Sequence, residues 1–155
     1  MRYFTVGAVS VFAFALAAFQ SDLDQPRWMA NMARHQKVVM YGVPAPYNAV
    51  RDPYVNTPAK LRRGADLFSK QCASCHGWSG DGAGSEGMFL VPLPADLAWL
   101  ARTPRNRSDP YIYWSIAEGG KAFNSEMPAY KRTLSRRDIW AVTAFVQSGM
   151  AQASP

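Results

Sequence analysis

Cys72-Ala73-Ser74-Cys75-His76 decides how the rest of the chain is read. The two thiols stand three positions apart, an imidazole follows the second directly, and no other cysteine occurs in the 155 residues. A structural zinc site needs four Cys or His ligands, and outside the motif only His35 remains, so zinc lacks donors. A thioredoxin-like redox pair sits beside a βαβ pattern, and no alternating run of strand length is present. Covalent haem attachment is the third chemistry at this spacing, and Cys-x-x-Cys-His is its signal. Two thiols so placed can each form a thioether with one vinyl group of a single macrocycle, and the next imidazole then reaches the iron. The motif predicts one covalent haem c, held by Cys72 and Cys75, with His76 as an iron ligand.

Upstream of the motif, Thr57-Pro58 offers an N-cap followed by proline at the first helical position, where its missing N–H is harmless. A helix is expected from there, with Leu61, Ala65 and Phe68 at helical spacing and Leu67 beside them. Gly64 in that helix costs about 1 kcal/mol relative to alanine, so a ring or another backbone should approach it closely. Near the C-terminus, Ser135 as cap, Asp138 as its acidic partner and Gly149 as stop bound a second helix. Ile139, Val142 and Val146, with Trp140, Ala144 and Phe145, predict that it is buried over a wide face. Between these helices, Asp96 to Ala101 and Pro110 to Glu118 read as short helices, the latter closed by Gly119-Gly120. The expected fold is all-α with long loops, one domain over residues 57–150, and no internal repeat.

Composition agrees with one packed domain, since 48% of residues are hydrophobic and only 18% charged. The net charge of +6 suits acidic protein partners, an anionic membrane surface or a solvated basic face. It does not suggest nucleic acid, because the basic residues come in short groups such as Arg62-Arg63 and Arg136-Arg137 and no nucleic-acid fold signature accompanies them. After Met1 and Arg2, an apolar run covers residues 3–19 and is followed by polar Gln20, Ser21 and Asp22. Residues 1–20 are therefore expected to be a signal peptide, with Ala15-Leu16-Ala17 acceptable for cleavage, or an uncleaved N-terminal membrane anchor. Either places the remainder on the periplasmic side of the cytoplasmic membrane. Residues 21–56 read as a strap or linker punctuated by Pro44, Pro46 and Pro53, with one short helix from Pro26 to about Val39.

From Thr57 to Gly149 the sequence resembles the class I cytochromes c, particularly the bacterial mono-haem domains found in cytochrome subunits of oxidases and dehydrogenases. The resemblance rests on Gly64-Ala65-Asp66-Leu67-Phe68, on Cys72 to Gly77, on the Gly80-Asp81-Gly82 loop, on Glu126-Met127-Pro128-Ala129-Tyr130 and on the closing helix with Trp140. It implies a class I cytochrome c fold in which the first and last helices cross with a small residue against a ring, Gly64 and Trp140 here, with Phe68 and Phe145 as neighbours. It also implies that a proline carbonyl, Pro92 or Pro94, accepts the second N–H of His76. Tyr113, Trp114, Arg102 and Arg105 are candidates for covering the haem edge or its propionates.

Seven methionines compete for the sixth iron position. Met1 and Met150 are terminal, Met29, Met32 and Met40 precede the motif, and Met88 follows His76 by a short loop. Met127 lies in a long inter-helix loop before Pro128, from which a thioether can swing across the haem, and the resemblance implies the same residue. Met88, His35 or an open position stand as alternatives. Histidine and methionine together leave iron no place for substrate and favour its reduced state, so electron transfer is expected and a catalytic residue is not. The expected role is in a respiratory or dehydrogenase-linked chain, as a carrier or as the haem subunit of a membrane-bound complex, with redox proteins as partners. The competing class is a haem sensor or peroxidase-like enzyme with a displaceable sixth ligand, for which no distal acid–base pair is evident.

Overall fold

The computed structural model describes residues 32–102 and 105–150, without the side chains at 32, 33, 35, 39 and 105–107. Residues 1–20, and the expected helix start at Pro26, lie outside the described residues. Helix α1 covers Met32–Tyr41, two residues beyond the expected end at Val39. Residues 42–56 then run along the helical body with one 3-10 turn, Tyr47–Ala49. Tyr47, Val50 and Tyr54 pack against the core, the Tyr47 hydroxyl donates to Glu118, and Lys60 pairs with Asp52 while also donating to the Tyr54 carbonyl at 3.1 Å.

The Thr57 hydroxyl accepts the Lys60 N–H at 3.2 Å and opens α2, Pro58–Gln71. The haem motif follows as the single turn α3, Ala73–His76. Asp96 caps α4, Leu97–Ala101, by accepting from Trp99 N at 2.9 Å. Helix α5 covers Arg105–Glu118 and α6 covers Arg136–Gln147. Ser135 accepts the Asp138 N–H at 3.1 Å while donating to that carboxylate at 2.8 Å, so cap and acidic partner satisfy each other as expected. No strand occurs among the described residues, and the fold is all-α.

Two details of packing correct the sequence reading. Helix α5 starts five residues before Pro110 and carries it as a buried interior residue. A helical proline forfeits one backbone bond. Tertiary anchoring holds the preceding turn nonetheless, because buried Ser108 receives a hydrogen bond from Gln147 of α6. The second correction concerns Gly64, whose partner is not Trp140. A Cβ on Gly64 would lie 2.1 Å from the Ala141 carbonyl oxygen and 2.7 Å from Phe145 Cβ, so α2 and α6 touch backbone to backbone. The Phe68 and Phe145 rings meet beside that contact at 5.5 Å. Trp140 sits one residue, about 100°, around the helix and packs its ring on Tyr113 of α5 at 4.5 Å.

Candidate haem-binding cleft

Helix α2 ends where Cys72 turns the chain, and the Cys72 carbonyl accepts from His76 N at 2.8 Å and from Cys75 N at 3.2 Å. The motif is thereby wound into one tight turn. Its buried Ala73 faces the core, while Cys72, Cys75 and His76 line one cleft. Leu90, Pro92, Pro94, Phe123 and Pro128 supply apolar lining.

The His76 ring nitrogen Nδ1 lies 3.1 Å from the Ala95 carbonyl oxygen. A carbonyl only accepts, so Nδ1 carries the proton and Nε2 keeps a free lone pair. The acceptor is thus Ala95, not Pro92 or Pro94. Pro94 turns its carbonyl toward Gly82, where a Cβ would stand only 2.5 Å away. Desolvation lowers the His76 pKa; the Ala95 bond opposes this, and the Arg34 charge adds to it.

Both cysteines are free thiols. Burial, then the neighbouring Cys75, pushes the Cys72 pKa up to about 12. A reactive redox cysteine needs the opposite shift, so this environment does not suit one.

Met127 lines the same cleft, and the backbone pins it there. Its carbonyl accepts from Gly120 N at 2.8 Å, Tyr130 N donates to Ile116 O at 3.0 Å, and Lys131 N donates to Ala117 O at 3.1 Å. The loop is clamped to the end of α5. It also reaches the motif, since the Tyr130 hydroxyl donates to the Gln71 carbonyl at 2.8 Å, next to Cys72. Met88 does not line the cleft and is 49% exposed; Met40 is 69% exposed, and Met150 is buried against Gly80. Met1, Met29 and the side chains of Met32 and His35 lie outside the described residues.

Tyr113 and Trp114 are core residues rather than cleft lining, Arg102 is exposed, and the Arg105 side chain lies outside the described residues. In their place the cleft has Arg34, Tyr111 and Tyr130. Arg34 carried no sequence signal, because nothing local ties a residue of the upstream strap to the motif. Tyr130 stood within the resembling Met-Pro segment, but its reach to Gln71 is set by tertiary packing.

A neutral imidazole with a free lone pair, a thioether and two free thiols gathered in one apolar-lined cleft form a donor set that fits haem c. This helical domain, with Cys-x-x-Cys-His wound into one turn of its haem cleft, is that of a class I c-type cytochrome. The family described as cytochrome c oxidase, cbb3-type, subunit III matches residues 59–146, and the chain belongs to that family. Its domain is a haem-binding electron-transfer module.

Proposed function

We propose that the protein carries one haem, bound covalently through Cys72 and Cys75 and ligated by His76 and Met127, and passes single electrons on the periplasmic side of the cytoplasmic membrane. The observation that carries this reading is the meeting of all four side chains in one cleft. When bound, haem iron supplies the one-electron couple. The chain's own residues do the rest: Ala95 orients the His76 ring, the α5 clamp holds the Met127 thioether, and the apolar lining limits water. A soft thioether would stabilise ferrous iron, and ligation by both His76 and Met127 would leave the iron no place for substrate.

In this reading residues 1–20 deliver or tether the domain, and the protein serves as a carrier or as the haem subunit of a membrane-bound respiratory assembly. Family membership and the apolar run at residues 3–19 support the assembly. Replacing Cys72 and Cys75 together with alanine is expected to abolish haem that survives denaturation and acid extraction. Retained colour in that variant rejects covalent attachment. Purification from gently solubilised membranes separates the two roles, since co-purifying larger subunits indicate an assembly and release as a soluble monomer rejects it.

A further inference from the structure

Helix α1 precedes the region that matches the family, yet it delivers Arg34 into the haem cleft. There the guanidinium donates to the Gly119 carbonyl and lies 3.7 Å from the Met127 sulfur. Its central carbon stands 4.8 Å from the Phe123 ring centroid and 5.5 Å from that of Trp114. These are favourable faces for a planar cation. Among the described residues no carboxylate pairs with it, and its buried Nε has no partner.

A buried cation is costly unless something accepts its hydrogen bonds and balances its charge. Here one acceptor is a backbone carbonyl, one is the thioether of the expected iron ligand, and one nitrogen, Nε, is left without an acceptor. An arginine keeps its charge even when burial lowers its pKa, as it does here. A methionine sulfur has two lone pairs, so it can accept an N–H while the other serves a metal.

We infer that Arg34 belongs to the haem site: it positions the Met127 thioether and holds a half-buried positive charge that favours the ferrous state. This rests on the proposed ligation by Met127. The leftover Nε–H is a donor that a carboxylate of bound haem has the chemistry to accept. Loss of the charge lowers the reduction potential whether or not that carboxylate is engaged, because either way the ferric form gains relative stability.

The test uses the full-length holoprotein with Arg34→Gln and Arg34→Lys, read by redox titration and by the near-red charge-transfer band of thioether-ligated ferric haem. Arg34→Gln is expected to shift the ferric–ferrous equilibrium toward ferric by about tenfold, or about 59 mV for one electron, and to weaken the band. Arg34→Lys, which keeps the charge and one donor, is expected to recover most of the potential. Equal losses in both variants assign Arg34 a packing role alone and overturn the inference. So do unchanged potentials in both, when Met127→Ala still abolishes the band. A wild-type band that survives Met127→Ala rejects the ligand assignment itself and the inference with it.

Discussion

Gly119 and Met127 meet backbone to backbone: a Cβ placed on Gly119 would stand 2.7 Å from the Met127 carbonyl oxygen. It would also stand 2.7 Å from Ala129 N, and Gly119 has φ +68, where side chains are strained. The end of α5 and the Met127 loop therefore share a contact that only glycine permits. Gly119→Ala is expected to cost at least about 1–2 kcal/mol of stability, from the left-handed strain alone. Relief of the contact should also displace Met127 and weaken the thioether band of the holoprotein. Denaturant unfolding with near-red spectroscopy checks both, and an intact band at wild-type stability rejects the clamp.

Met127→Ala should leave haem attached and open the sixth position, since attachment depends on Cys72 and Cys75 while ligation depends on a separate loop. The potential should fall, and reduced protein should bind carbon monoxide where wild type does not. Met88→Ala should leave both properties unchanged, because Met88 is half-exposed and outside the cleft. If Met127 only packs, the variant loses about 2–5 kcal/mol of stability with coordination unaltered. The band persisting in Met127→Ala and vanishing in Met88→Ala would reverse the assignment.

Hydrogen bonds from Lys131 and then Tyr47 hold the Glu118 carboxyl below its ordinary value of 4.5. Between its folded value and 4.5 the folded state binds fewer protons than the unfolded chain, so stability rises with pH in that window. The contribution is complete above about pH 4.5 and is lost as pH falls through the folded value. Because the pair is partly exposed, Glu118→Gln should cost under about 1 kcal/mol at pH 7. The difference from wild type should vanish in acid below the folded value, as thermal unfolding across pH would record. A difference that grows toward acid contradicts the linkage.

Among the basic residues that bracket the Met127 loop in sequence, Lys131 is paired with Glu118 at 2.7 Å and Arg137 lies over the Tyr54 ring at 5.0 Å. Lys121, Arg132 and Arg136 are exposed and left to form a docking rim. Electron transfer with an acidic redox partner should therefore slow as salt rises, with screening over about 8–10 Å at ordinary ionic strength. Lys121→Glu should flatten that dependence, while the Lys131→Gln effect should be smaller. Stopped-flow rates that do not change between low and high salt eliminate docking through this rim.

The sequence was most legible where the physics is local. Thr57-Pro58 and Ser135 with Asp138 act on backbone groups within three residues, and both caps form as expected. Pro110 was misleading for the same reason: its local preference is for a first turn, but the Ser108–Gln147 contact draws the helix five residues upstream. Gly64 announced a close approach without naming the neighbour. One residue of rotation on α6 gives that contact to Ala141 and Phe145 and sends Trp140 to Tyr113.

Residue spacing alone narrows the chemistry. Two thiols and an imidazole at fixed spacing can serve few cofactors, and residue spacing survives any folding of the chain. Which distant groups join the motif in the cleft is a matter of packing. Of the methionines described, it carries Met127 to the cleft; it selects Ala95 over two nearby prolines and brings in Arg34 from upstream of the matched domain. These choices depend on where α5, α6 and the loops between them come to rest. That is set by burial of rings and satisfaction of backbone bonds across many tens of residues, and no short stretch of sequence encodes the sum.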